Sequence, residues 1–271
     1  MLLFVHGNPT WSFFWRDLVK AFSGRYRAIV PDHIGCGLSD KPGPHEYGYR
    51  LANRIDDLCR LIDELDLDRI TLVAHDWGGA IGMGAAVARP ERFERFVLMN
   101  TAAFRSTRMP LRIRMARIPG VGAVAVQGLN LFARAAVRMA VHRRARMTPL
   151  VREGYLAPYD SWRNRTAVLR FVEDVPLHAR HPSYLKLAEI ESGLSQFRQH
   201  PVCLAWGMRD WCFTEAFLNR FLEFLPEARV HRLADAGHYL VEEAHEEIVP
   251  LMEQFFTDFP VPADFGRPMP L

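Results

Sequence analysis

Asp76 stands at the centre of Val73-Ala74-His75-Asp76-Trp77-Gly78-Gly79. An apolar run, Ile70 to Ala74, leads into it, and a small-residue stretch, Gly78 to Ala88, leads out. Ala74 and Gly78, two positions before and after, leave room for a very tight strand-to-helix turn, the small-x-nucleophile-x-small pattern of a nucleophile elbow. Such elbows usually carry serine; this one carries aspartate. A carboxylate needs no base to strip a proton before it attacks. It suits displacement at a saturated, electrophilic carbon, which makes an ester of the enzyme itself. Aspartate is also a common helix N-cap, so the reading depends on whether the partners of a nucleophile are present.

Three further loops supply them. His6-Gly7-Asn8-Pro9-Thr10 follows the first apolar run, and the Asn8 amide can offer N–H groups to a pocket. Trp77 adds an indole N–H donor and no acceptor, so Asn8 and Trp77 together predict an apolar-walled anion site, suited to a halide or a developing carboxylate. Ala234-Asp235-Ala236-Gly237-His238-Tyr239 follows the last strand-like run. His238 is placed there to act as base on the nucleophile–histidine–acid template. Gly207-Met208-Arg209-Asp210-Trp211 offers Asp210 as the acid that orients it. Asp235 is the rival, but three residues before the histidine it reads as a turn residue. The chain order Asp76, Asp210, His238 is the nucleophile–acid–base order of α/β-hydrolases. His75 abuts Asp76, but neighbours in an elbow point different ways.

The elements that would hold these loops recur along the chain. Apolar, β-branched runs at Leu2–His6, Arg27–Asp32, Arg69–His75, Arg95–Asn100, Val202–Gly207 and Ala228–Leu233 read as strands. Helical patterns separate most of them, as in Leu51–Leu65, where Leu51, Ile55, Leu58, Leu61, Ile62 and Leu65 form one stripe. This alternation predicts an α/β fold, a mostly parallel, doubly wound sheet with its chemistry at the carboxyl ends of the strands. Between Asn100 and Val202 the alternation stops. The segment reads as helices at about Leu111–Arg117, Val124–Val141, Pro149–Leu156 and Trp162–Phe171, an inserted helical cap. The predicted division is a core of residues 1–101 and 201–257, a cap of 102–200, and a Pro-rich, extended tail of 258–271.

The chain has 271 residues, 49% hydrophobic and 24% charged, with a net charge of +3. That composition is globular, and the charge is too small to imply nucleic acid. No apolar run approaches the roughly 20 residues of a membrane span, and the start shows no basic leader region. Cys36, Cys59, Cys203 and Cys212 have no metal-ligand spacing. Cys203 and Cys36 lie in or beside strand-like runs and read as buried free thiols in place of disulfides, which fits a reducing, cytoplasmic compartment. No metal and no cofactor is expected. In the cap, Val124, Leu129, Leu131, Phe132, Ala136 and Met139 can supply apolar surface to a long apolar substrate. Arg134, Arg138, Arg143, Arg144 and Arg146 would give it a basic outer face that meets an acidic partner enzyme or an anionic membrane surface.

Nearly the whole chain resembles the haloalkane dehalogenase family of α/β-hydrolases. The resemblance is carried by His6–Thr10, Pro31-Asp32-His33-Ile34-Gly35-Cys36-Gly37-Leu38-Ser39-Asp40, the Asp76 elbow, Gly207–Asp210 and Ala234–His238. It implies that Asn8 and Trp77 match the family's halide-binding pair. In some members the acid is a glutamate after the sixth strand; Asn100 stands there here, so the resemblance also selects Asp210. The cap stretch Tyr155-Leu156-Ala157-Pro158-Tyr159-Asp160-Ser161-Trp162, with Asn164-Arg165 and Val168–Val172, is similar to the β-lactone decarboxylases of bacterial long-chain olefin biosynthesis. This implies a disubstituted β-lactone opened by the same catalytic set to carbon dioxide and an internal alkene, with other enzymes of an olefin pathway as partners. Epoxide hydrolases share the elbow and also need cap tyrosines as acids, for which Tyr155, Tyr159 and Tyr184 are candidates. The family fold places two strands before the one that ends at His6, so the first two strands are expected to be missing here. Arg27–Val30 would then be a sheet edge, open to pairing with another chain.

Overall fold

The computed structural model describes residues 1–261. In chain order its main elements are β1 (Leu2–Val5), α1 (Arg16–Phe22), β2 (Ala28–Ile29), α2 (Leu51–Glu64), β3 (Ile70–Asp76), α3 (Trp77–Ala88) and β4 (Phe93–Thr101). Then come α4 (Leu111–Met115), α5 (Leu131–Met139), α6 (Pro149–Leu156), α7 (Thr166–Glu173) and α8 (Tyr184–Gly193). The chain returns to the sheet with β5 (Val202–Gly207), α9 (Glu215–Phe224), β6 (Arg229–Leu233) and α10 (Leu240–Asp258).

The six strands form one parallel sheet in the order β2-β1-β3-β4-β5-β6. Helices cover both faces, which is why the inner strands read as continuous apolar runs. Alternation still decides which face each residue serves: Leu3 and Val5 pack with α2, α3 and α9, while Leu2 and Phe4 pack with α1 and α10. Among the described residues β2 is one edge of the sheet and pairs only with β1. It is shorter than the expected Arg27–Asp32. Asp32 leaves the ladder because its carboxylate accepts the backbone N–H groups of Ser12 at 2.6 Å and Leu38 at 2.8 Å.

Helices α4 to α7 lie between β4 and β5, with their own small core of Val126, Ala133, Tyr159, Val168 and Leu169. The expected helix Val124–Val141 is broken. A short π-helical stretch, Ala123–Gly128, precedes α5. Asn130 between them takes a left-handed conformation (φ 54°), and its amide donates to the Tyr159 carbonyl at 3.0 Å. Gly128 and Asn130 punctuate what the apolar periodicity runs together. The expected helix Trp162–Phe171 begins as a 3-10 turn (Arg163–Arg165) and continues as α7 to Glu173. α8 has no counterpart in the expected set; its Leu187 and Ile190 join the core beneath α3. The expected tail begins inside α10, which ends at Asp258, and its residues from 262 onward lie outside those described.

Candidate active site

β3 ends on Asp76, whose backbone is held at φ 53°, ψ −127°, a conformation that L-residues adopt at a cost and that surrounding structure must impose. The imposition is visible. The Thr101 hydroxyl donates to the Asp76 carbonyl. Gly78 lies so close to the Val5 carbonyl that a Cβ there would overlap it. The turn thrusts the carboxylate to the carboxyl edge of the sheet, where Oδ1 accepts the backbone N–H of Asn8 at 2.7 Å. The Trp77 backbone N–H, next in the chain, also favours the ionised form of this carboxylate. Gly7, beside it, has no room for a side chain against Asp76.

His238 follows β6. Its Nδ1 is 2.8 Å from Asp210 Oδ2, and its Nε2 is 3.8 Å from Asp76 Oδ2. The second distance is too long for a hydrogen bond and suits a base that acts on something placed between the two groups. The His238 carbonyl is held by His75 Nε2 at 2.8 Å, and the His238 backbone N–H donates to the Ala140 carbonyl at 2.9 Å. The Phe213 ring stacks on the imidazole at 5.7 Å between centroids.

Asp210 is buried and held by the Cys212 backbone N–H at 2.6 Å and the Asn100 amide at 3.0 Å. Asn100 can reach it because of a bulge. β4 pairs His75 with Met99 and then Asp76 with Thr101, leaving Asn100 out of register at φ 31°. A bulge re-aims the residue it leaves unpaired, and here Asn100 turns toward β5. It accepts the Gly207 N–H at 2.7 Å and donates to the Gly207 carbonyl at 3.1 Å. Asp235 sits elsewhere, exposed and 3.7 Å from Arg209. Asp76, His238 and Asp210 thus form an Asp–His–Asp arrangement.

All three groups are buried. Burial raises the Asp76 pKa, opposed by the His238 charge and the two backbone N–H donors. Burial also acts to lower the His238 pKa, but the charge and hydrogen bond of Asp210, with Asp76 behind it, outweigh that and leave it raised.

Asn8 and Trp77 both line the cavity in front of Asp76. Asn8 spends one amide hydrogen on the Val168 carbonyl of α7, at 3.2 Å, which ties the β1 loop to the cap. Its Oδ1 is buried without a partner among the described residues. Trp77 packs its ring 5.3 Å from Phe171.

The cavity has a volume of about 400 Å³ and is walled chiefly by carbon: Met109, Ile113, Phe132, Val172, Leu187 and Phe217 are typical. Such a volume fits a small-molecule site. Of the cap residues expected to supply apolar surface, Leu131, Phe132, Ala136 and Met139 line it; Val124 and Leu129 face outward and are exposed. No tyrosine is among the lining residues. Tyr155 bonds Glu242 at 2.9 Å and Tyr159 bonds the Thr10 carbonyl at 3.3 Å, so neither serves as an acid for an epoxide oxygen. The four cysteines are free thiols. Among the described residues no cluster of histidine, cysteine, aspartate or glutamate is arranged to hold a metal ion, and no helix is long and apolar enough to cross a membrane.

Sequence reasoning missed Glu243. This buried carboxylate accepts the backbone N–H of Gly237 at 3.0 Å, and those of His142 at 2.8 Å and Arg143 at 2.6 Å. It joins the loop that carries His238 to the segment that follows α5. Burial raises its pKa despite those three donors. Its only local signal is an acidic pair at a helix start, which is ordinarily solvated.

The alpha/beta hydrolase fold family model matches residues 1–245. The chain is 44% identical over 261 residues to the cis-3-alkyl-4-alkyloxetan-2-one decarboxylase of Shewanella oneidensis, covering 95% of this chain and 82% of that protein. It is 42% identical to the decarboxylase of the same name in Xanthomonas campestris, covering 96% of this chain and 89% of the relative. Among solved structures, an ancestral haloalkane dehalogenase superposes with a TM-score of 0.85 at 28% identity, over 95% of this chain and 91% of that one.

Proposed function

We propose, on the premise that this chain belongs to the α/β-hydrolase family and to its haloalkane-dehalogenase-like branch, that it opens a cis-3-alkyl-4-alkyloxetan-2-one and releases an alkene and carbon dioxide. The observation that carries the proposal is the Asp76 carboxylate at a strand-to-helix elbow, 3.8 Å from a histidine that Asp210 holds at 2.8 Å, in a carbon-walled cavity. The decarboxylases that are 44% and 42% identical support the choice of substrate. On this reading residues 102–200 act as a cap over a core of 1–101 and 201–257, and the substrate is a small, apolar organic molecule.

Asp76 attacks the saturated, alkyl-bearing ring carbon that is bonded to the ring oxygen. The bond from that carbon to Asp76 forms as its bond to the ring oxygen breaks, which frees a carboxylate on the neighbouring carbon. Asn8 and Trp77 supply donors for that new anion, and His238 lines the same cavity. The carboxylate then leaves as carbon dioxide. The electron pair of its carbon–carbon bond becomes the alkene, and the ester bond breaks to return Asp76 as a carboxylate. The backbone N–H groups of Asn8 and Trp77 stabilise Asp76 as it departs. Atoms and charge balance without water, a proton donor or a cofactor. Inversion at the attack and anti elimination at the release cancel, so a cis lactone gives a cis alkene.

The second reading is hydrolysis of a carbon–halogen bond. It is favoured by the 3.8 Å gap between His238 Nε2 and Asp76 Oδ2, where a water could be activated and aimed at an alkyl ester. Asp210 would hold the imidazole in the tautomer that does this.

A single turnover in heavy-oxygen water separates the two. Purified protein is offered a cis-β-lactone and, separately, a bromoalkane; alkene and bromide are measured, followed by the mass of the Asp76 peptide. Decarboxylation leaves Asp76 unlabelled, whereas ester hydrolysis puts one solvent oxygen into it. Bromide release with no alkene would overturn the primary reading.

A further inference from the structure

We propose that the mouth of the cavity docks on an anionic lipid surface and takes its substrate from it. This rests on the reading of the substrate as a water-insoluble apolar molecule.

The charge is unusually one-sided. From Thr101 to Arg152 the chain has eleven arginines and no aspartate or glutamate. Three are paired with carboxylates from other segments: Arg105 with Glu191, Arg143 with Glu247 and Arg146 with Glu246. Arg108, Arg112, Arg114, Arg134, Arg138 and Arg144 are exposed and have no carboxylate partner among the described residues.

The same segment holds most of the large apolar side chains that face solvent. Leu111 is 72% exposed and Val124 57%. Met115, Val121, Leu131 and Met139 are exposed and also line the cavity, so they ring its opening. On α5, Leu131, Arg134 and Arg138 stand at i, i+3 and i+7, one face of the helix. An exposed apolar patch rimmed by polar groups marks an interaction surface. Apolar side chains set among unpaired arginines are the composition that inserts into the headgroup boundary of an anionic bilayer. An acidic protein would satisfy the charge. It would not explain why the apolar side chains encircle the entrance to a carbon-walled cavity.

The test is flotation of the intact protein, without substrate, with vesicles of phosphatidylcholine alone or mixed with phosphatidylglycerol. Flotation is expected with the mixed vesicles only, and is expected to weaken strongly between about 0.1 M and about 1 M salt as screening shortens. The triple variant R114E/R134E/R138E, none of whose residues lines the cavity, is expected to partition about a hundredfold less. It should keep the wild-type circular dichroism and turn over a short, water-soluble lactone normally. L111S/V124S is expected to lose the part of the binding that survives salt. Equal flotation with neutral vesicles, none with anionic ones, or wild-type flotation of the triple variant overturns the proposal and leaves this face to a protein partner. Because no substrate is present, a negative result leaves the lactone reading standing, and loss of that reading would not remove vesicle binding.

Discussion

The Asn100 amide lies 3.0 Å from Asp210 Oδ2, the same oxygen that holds His238 Nδ1 at 2.8 Å. A strand bulge has therefore made a neutral residue the support of the acid that orients the histidine. Asp210→Asn keeps the shape but offers His238 the wrong partner, so bromide release from a bromoalkane is expected to fall by roughly 10⁴-fold. Asp235→Asn, in an exposed pair with Arg209, is expected to leave it within a factor of two or so. A larger loss in Asp235→Asn would overturn the assignment of the acid.

Asp76→Asn removes the nucleophile and should abolish both activities, with no ester detectable by intact-mass spectrometry. Its stability follows from the raised Asp76 pKa. A carboxyl that titrates higher in the folded state than in the unfolded chain binds its proton more readily when folded. Stability is then lost as pH rises through the folded pKa, so at neutral pH the ionised group opposes folding. Asp76→Asn is expected to unfold at the wild-type temperature or above it. A clear drop in melting temperature would contradict this.

The pH profiles of the two reactions should differ. Both need ionised Asp76, so both lose rate on the acid side, at a pH above that of a free aspartate because burial raises the Asp76 pKa. Ester hydrolysis also needs neutral His238. Its pKa is raised, so bromide release should keep climbing above the ordinary titration range of histidine. Alkene release needs no base and should show no such climb. In Asp210→Asn the main influence raising the His238 pKa is gone, and residual bromide release should peak at lower pH.

Trp77→Phe keeps an aromatic ring against Phe171 and drops the N–H. If the indole donates to the new anion, kcat/KM should fall by about 3 kcal/mol of transition-state stabilisation, with unchanged stability. Wild-type kinetics would reduce Trp77 to a wall of the cavity. Asn8→Ala should cost activity similarly, and some stability as well, because the Val168 carbonyl loses its donor.

Glu243→Gln leaves one amide oxygen to face three N–H groups, that of Gly237 buried and those of His142 and Arg143 partly buried, and turns an NH2 toward some of them. Denaturant unfolding should show a loss of about 1–3 kcal/mol. The segment after α5 and the His238 loop are then less well joined, so KM for a long-chain substrate is expected to rise more than for a short one. Equal effects on both would mean that Glu243 serves stability alone.

The elbow, the order Asp76, Asp210, His238 and the parallel sheet were legible in the sequence because each has a local cause. Small residues at fixed spacing make the turn, apolar runs mark buried strands, and loops at strand ends collect the chemistry. The choice of Asp210 over Asp235 could be argued from turn chemistry, but only the fold decides it, since burial and a 2.8 Å contact are properties of packing. The support from Asn100 was illegible, because a one-residue bulge leaves no compositional trace. Asn8 shows the same limit: the sequence marked it as a donor, while the packing of α7 decided that one of its hydrogens goes to Val168. The break at Asn130 and the burial of Glu243 depend on what lies across the interface. Apolar periodicity identifies a segment that must be covered, and only the tertiary structure determines by what.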